Sequence, residues 1–257
     1  MRAEAVRAAP SKGIGTRRET SLHEALKIRY TGPGGNTEVV HRGFVCDGID
    51  ASGTIIEVQT SNFAAIYRKL ESLSREAKLV LVYPVIKTCY LELYDTGKHL
   101  IRRRKSPKKG GFWDIFNELI YAPLLPSLSN LRIELALVDA AERRIQDGKG
   151  SWRRRGVSIA DRSLLALHET LSLAGVSSYR RFIPPELKGN FTVRELAAAA
   201  KIGETTARKT VYVLTRLNLI ERTGKKGRAF VYRRVITNHS PHGKHGKEEF
   251  LPRGRKS

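Results

Sequence analysis

The order of hydrophobic patterns in this chain predicts an α/β fold followed by a smaller, basic α+β unit. Three observations carry that reading. The first half alternates between helical and strand periods in the order helix, three short strands, helix, strand, strand. The run KLVLVYPV at 78–85 is almost wholly apolar, as expected of a parallel strand covered on both faces. From residue 191, two helical segments precede two short strands around a basic turn.

Each element has a local reason. Residues 1–19 carry no apolar period and read as a flexible basic arm. Ser21-Leu22-His23-Glu24 fits a capping box, and Leu22, Ala25 and Leu26 line one face of the first helix. The turn TGPGGN at 31–36 ends it. Strands follow at 37–41, 44–49 and 54–59, the last two joined by Asp50-Ala51-Ser52-Gly53, which suits a hairpin. In 63–77, Phe63, Ile66, Tyr67, Leu70 and Leu73 share one helical face. Residues 88–95 alternate like a further strand, 112–120 read as a helix, and 131–138 as the strand that completes the sheet.

Asp161 is placed to cap a helix running through residue 174, the first helix of the C-terminal unit, with 141–160 as a linker or phosphate-gripping loop. Residues 175–190 are irregular. Thr192-Val193-Arg194-Glu195 is a second capping box, opening a helix to about residue 201. A second helix covers 205–218, and strands are expected at 219–222 and 229–235. The tail from 238 is poor in apolar residues and reads as disordered. The expected units are thus 20–140 and 161–237.

Charge narrows the partner. The formal net charge is +22, with a pI near 10.3, which points to a polyanion. Its distribution is uneven. Residues 21–97 hold eight Lys/Arg against nine Asp/Glu, whereas 191–237 hold eleven against three and 98–110 alone hold seven Lys/Arg. No apolar run approaches the length of a membrane span, and the N-terminus lacks the apolar core of a secretory signal. Cys46 and Cys89 are too few for a disulfide scaffold, so a reducing, cytoplasmic compartment is expected.

The chemistry-bearing stretch is GFVCDGIDASGTIIEVQTSN at 43–62. Asp47 and Glu57 sit on successive strands that a hairpin would bring together, and Gln59 shares a strand face with Glu57. Carboxylates set among apolar strands need a counter-charge. Mg²⁺ takes oxygen ligands and requires only one or two carboxylates plus waters and a substrate phosphate.

These residues resemble the PD-(D/E)XK nuclease superfamily, with its restriction-endonuclease-like αβββαβ core and its Asp, β-turn, Glu-x-Lys pattern. The resemblance covers roughly residues 20–140. It implies Asp47 and Glu57 as metal ligands for Mg²⁺ or Mn²⁺, with the Val58 carbonyl as a third. Resolvase-like members add a glutamate from the first helix, where Glu24 stands, and usually act as homodimers. Gln59 replaces the usual lysine and cannot supply its positive charge. Lys69, on the following helix, is the candidate substitute. Glu24 fits a capping role equally well, and Lys69 that of a helix-edge lysine.

The segment 191–234 resembles a winged helix-turn-helix DNA-binding domain. Ala207, Val211, Leu214 and Leu217 would line the buried face of its second helix. Arg208, Lys209, Tyr212 and Arg216 would face the major groove, with Lys225, Lys226 and Arg228 on the wing. Arg102, Arg103 and Arg104, with Arg153, Arg154 and Arg155, would clamp the DNA backbone. The leading expectation is a Mg²⁺-dependent DNA endonuclease positioned by a winged helix. The alternatives are a degenerate nuclease-like domain in a non-enzymatic DNA-binding regulator, and an RNA-binding protein.

Overall fold

The computed structural model describes residues 19–235. Residues 1–18 of the arm expected over 1–19, and the tail expected from 238, lie outside the described residues. Helix α1 (Ser21–Thr31) opens the fold, followed by β1 (Asn36–His41), β2 (Phe44–Ile49) and β3 (Ile55–Val58). Then come α2 (Phe63–Ser74), β4 (Leu79–Tyr94), β5 (Leu100–Lys105) and the short α3 (Phe116–Leu119). Two long strands, β6 (Leu131–Gln146) and β7 (Val157–Ala174), complete a mixed sheet ordered β1-β2-β3-β4-β6-β7, with β5 also paired to β4. The class is α/β, as the patterns predict.

Helices cover both faces of the sheet. On one side, Leu22 and Leu26 of α1 pack with Ile56, Val58, Val80, Val82, Ala136 and Val138. On the other, Phe63, Leu70 and Leu73 of α2 pack with Ile55, Leu79 and Leu81. The alternation of β3 and the first part of β4 between these two cores explains why 79–86 is apolar and why β3 is apolar apart from Glu57. The hairpin turn forms as expected. Asp50 Oδ1 accepts hydrogen bonds from the Ser52 N–H, the Ser52 hydroxyl and the Thr54 N–H, and Gly53 takes the positive φ the turn requires.

β4 is longer than expected: the segments at 78–85 and 88–95 are one strand. β3 pairs with its first half, from Leu79 to Val82, and β5 with its second half, from Tyr90 to Tyr94, in antiparallel register. β6 pairs along the whole opposite edge. β3 and β5 therefore share one edge of β4, with a gap between them. Val82 accepts from the Gln59 N–H, so alternation turns the nitrogen of Pro84 to the same edge, just beyond the end of β3. A proline there removes no ladder hydrogen bond.

The largest departure concerns 141–174. The expected linker is the end of β6, a tight tip and the start of β7, and the expected helix from Asp161 is strand β7. Leu164 and Leu167 face the α1 core, while Leu171 and Leu173 face the α2 core. Pairing with the full length of β6 overrides the helix-compatible spacing of these leucines. Asp161 does cap a helix, but a different one: it accepts from the backbone N–H of Ser21 at 2.9 Å and from its hydroxyl at 2.5 Å. The N-cap of α1 is Thr20 rather than Ser21.

After β7 comes a 3₁₀ stretch, Val176–Phe182. The rest matches the expected order: β8 (Phe191–Thr192), α4 (Val193–Ala200), α5 (Glu204–Arg216), β9 (Ile220–Lys226) and β10 (Ala229–Arg234), with a sheet ordered β8-β10-β9. The Thr192–Glu195 capping box is present in both directions. This unit is not tethered loosely. Trp113, Phe116 and Phe182 form edge-on and tilted ring contacts, and one apolar core runs from the α2 face through them to Val211 and Leu214 of α5. No helix among the described residues is long and apolar enough to cross a membrane.

If Asp161 caps α1 across the fold, Asp161→Ala lowers stability by about 1 kcal/mol, as loss of a helix cap does. Urea denaturation of both proteins checks this, with Asp147→Ala at the hairpin tip as a comparison that leaves α1 intact.

Candidate functional site

The ladder between β2 and β3 stops at Gly48–Ile56. Beyond it the strands part, leaving two backbone groups of Val58 without a strand partner. Both are taken by side chains. The Val58 N–H donates to Asp47 Oδ2 at 2.7 Å, and the Val58 carbonyl accepts from His23 Nε2 at 2.8 Å. His23 Nε2 also lies 3.3 Å from Asp47 Oδ2, while its Nδ1 contacts Glu19. Asp47 and His23 thus close the fork together.

Their titration follows from these contacts. Burial alone would depress the His23 pKa, but hydrogen bonds and charges from Asp47 and Glu19 outweigh it and raise it to about 9. Burial alone would raise Asp47. Its hydrogen bonds from His23 and Val58, with the charges of His23 and Lys69, hold it below the ordinary carboxylate range. At neutral pH the pair is an ion pair.

Glu57 is buried and turns the other way, towards α2. Lys69 Nζ stands 2.6 Å from Glu57 Oε1, an ion pair without hydrogen-bond alignment, and donates to the Val45 carbonyl at 2.6 Å. Burial raises the Glu57 pKa, Lys69 opposes the rise, and the Asp47 charge adds to it. The two carboxylates sense each other, yet each has its own cation. Lys69 therefore stands beside Glu57.

Two expected participants are elsewhere. Gln59 turns back to donate to the Ser61 carbonyl, so it does not reach the fork. Glu24 pairs with the buried Lys27 at 2.5 Å, beside Glu19 and Glu38. Burial opposes the charge on Lys27, and these three carboxylates more than offset it. Glu24 directly follows His23, and the step of about 100° per residue turns it off the Asp47 side; it is His23, read only as part of a capping motif, that enters the fork. Its spacing from Lys27 on α1 was the available signal.

Among the described residues, no three His, Cys, Asp or Glu side chains cluster as a metal site. The oxygens that do converge are Asp47 Oδ2 and the Val58 carbonyl, both within 3.3 Å of the same imidazole nitrogen. An ion-pairing nitrogen between two oxygen donors marks a position that favours positive charge. Two such oxygens suit a hard divalent cation in kind, but the protonated His23 nitrogen occupies the position and is not itself a ligand.

The basic residues fall into two groups. Arg102 and Arg104 of β5 meet Arg153, Arg154 and Arg155 from the β6–β7 tip and Arg144 of β6 in a cleft of about 390 Å³. Arg103, on the opposite face, packs over Tyr90 and pairs with Glu92. A neighbouring cavity of about 560 Å³ shares Leu91 and Arg144 with this cleft and extends to Thr60, just past β3. In the C-terminal unit, Arg208, Tyr212 and Arg216 of α5 face Arg228 and Phe230 of the β9–β10 hairpin across a groove. Lys225 lies over Phe230, and Lys226 is 3.8 Å from Glu195. Lys209 departs from expectation: it turns inward and donates to Asn117 Oδ1 at 2.8 Å, lining the 560 Å³ cavity instead of the groove.

Residues 20–174 match a family model described as Domain of unknown function (DUF8091). The chain belongs to this family. The DUF8091 region ends with the last residue of β7, so it comprises α1 and the entire large sheet and leaves out the C-terminal unit. The chain is also similar to a protein of Treponema pallidum (strain Nichols) described as an uncharacterized protein. The two are 30% identical over 221 residues, covering 86% of this chain and 87% of the relative. No solved structure matches.

The fork sets a pH profile. His23 has a raised pKa, so its stabilising contribution is complete below about pH 6.5 and is lost as pH rises through about 9. Asp47 is depressed, so its contribution is complete above about pH 4 and lost in more acidic solution. Stability should peak between those limits, and His23→Gln should remove the alkaline decline; melting temperatures across pH measure it. Lys69→Ala leaves Glu57 buried without its cation and should cost about 3 kcal/mol. Lys69→Ala with Glu57→Gln should recover most of that loss in urea denaturation, because the uncompensated charge is gone.

Proposed function

We propose that this chain is a DNA-binding protein whose sheet domain is a metal-dependent nuclease and whose C-terminal unit is a winged helix that places it on DNA. The observation that carries the reading is the convergence of the Asp47 carboxylate and the Val58 carbonyl on one cationic nitrogen, at the fork where β2 leaves β3. The helix, three strands, helix and strand that frame it stand in the order of the αβββαβ core. Lys69, held beside Glu57 by a helix, supplies the charge that Gln59 cannot.

Asp47 and the Val58 carbonyl would hold Mg²⁺ or Mn²⁺, where the His23 nitrogen now stands; Glu57, expected as a further ligand, faces α2 instead and is not at that point. When bound, such an ion polarises a phosphodiester and acidifies water. Asp47 provides the negative charge that fixes the ion's position, and the Glu57 charge adds to the field from the α2 side. Lys69 places a positive charge next to Glu57, where it can offset charge building on the phosphate. His23 orients Asp47 and keeps its carboxylate ionised. The arginine cleft and the α5 groove would grip the backbone on either side. These contacts position without reading sequence.

A second reading has its own observation. Each carboxylate already has an internal cation, His23 for Asp47 and Lys69 for Glu57, so the site is charge-balanced as it stands. That suits a nuclease-like scaffold retained in a non-enzymatic DNA-binding regulator.

Incubation with plasmid, flap and junction DNA should give cleavage with Mg²⁺ or Mn²⁺. Asp47→Ala should lower it by at least about 100-fold, since several kcal/mol of transition-state stabilisation are lost. Cleavage undiminished in that variant would remove the assigned site. DNA binding without cleavage, and without heat on calorimetric titration of Mn²⁺, would favour the regulator.

A further inference from the structure

The tip between β6 and β7 has a second property besides charge. Residues 147–156 form an ordered turn. The Gly150 N–H donates to the Gly156 carbonyl at 2.8 Å, the Ser158 hydroxyl donates to Asp147 at 2.8 Å, and Gly148 and Gly156 take positive φ. Gly150 has no room for a side chain, because a Cβ there would meet the Val157 carbonyl oxygen at 1.8 Å. This frame supports a single 3₁₀ turn, Trp152–Arg154. Trp152 at its start is 83% exposed, and the Arg153 guanidinium lies over its ring at 5.5 Å.

An indole left in water on a rigid turn forgoes a large burial gain. Here it adjoins the arginine cleft. Among the described residues, Arg102, Arg104, Arg153 and Arg155 have no carboxylate partner, and no acidic side chain lines the cleft. Arg154 adds a fifth, bound only to the Val157 carbonyl, and uncompensated guanidinium groups drawn together repel one another, so the cleft is complementary to an anion with repeating charge. Arginine forks match phosphate oxygens.

We infer that the β6–β7 tip is a binding site for unpaired nucleotides of DNA, with the arginine cleft holding consecutive phosphates and Trp152 stacking on an exposed base. This rests on the DNA-binding reading above and specifies its substrate class. Inside a duplex, base faces are covered by their neighbours and a side chain on a surface turn cannot reach them. In a single strand every base offers a face, and an aromatic beside a cationic groove is the chemistry that holds it. The preferred substrate is thus DNA with a single-stranded segment, not continuous duplex.

The chain contains two tryptophans, and Trp113 is packed against Phe116 and Phe182, so Trp152 can report its own contacts. The full chain is titrated with a dT oligonucleotide of about 12 nucleotides, within the span of single-strand sites, and with a blunt duplex of the same length. The oligonucleotide should quench the fluorescence, and Trp152→Phe should lose most of that signal. Trp152→Ala should weaken single-strand binding about ten-fold, the scale of one lost base stack, and leave duplex affinity and melting temperature unchanged. Arg102→Gln with Arg104→Gln should weaken both. Equal affinity for the two DNAs, with neither altered by Trp152→Ala, would overturn the stacking inference and leave the DNA-binding reading standing. Failure to bind either DNA would overturn both.

Discussion

Where β2 leaves β3, the sheet must satisfy two backbone groups of Val58 without a strand, and the Asp47–His23 pair does so. An open fork inside an apolar sheet is costly unless its N–H and carbonyl find partners. Asp47 accepts the first and His23 donates to the second, while the charge on each holds the other in its ionised form. This couples α1 to the edge of β3. It also concentrates charge where β2 and β3 part.

The long strands extend the consequence of that opening. β4 continues well past the end of β3 and carries β5 on the vacated edge, so one strand links the acid site to the arginine cleft. From Val82 to Leu91 the span is roughly 30 Å at about 3.3 Å per residue. The 560 Å³ cavity lies along this path and takes Lys209 from α5. Acid fork, basic cleft and C-terminal groove are therefore parts of one rigid frame. The shared aromatic core around Phe116 and Phe182 removes the freedom that a linker would have given the C-terminal unit.

Charge is sorted by face and not only by segment. In β5, alternation sends Arg102 and Arg104 into the cleft while Arg103 packs on Tyr90 and meets Glu92. In α5, Arg208 and Arg216 face the groove while Lys209 turns inward. Neighbours in a basic run thus have different work, and a count of Lys and Arg cannot separate them.

Local patterns were enough to read the meander, the Asp50 turn, α2, the Thr192–Glu195 box and the order of the C-terminal elements, because each rests on contacts within a few residues. They also picked out Asp47, Glu57 and Lys69. They missed β7, whose leucines suit a helix until β6 is there to pair with them, and they missed His23, whose partners lie 24 and 35 positions away in the chain. Gln59 and Glu24 were misplaced for the same reason, since side-chain direction at a fork depends on which neighbours remain unpaired. What the sequence by itself determined is the set of elements, their chemistry and the excess of positive charge. Only the tertiary structure decided which cation meets which carboxylate and which arginines share a cleft, because those pairings are long-range and are set by strand register and by the backbone groups that the register leaves open.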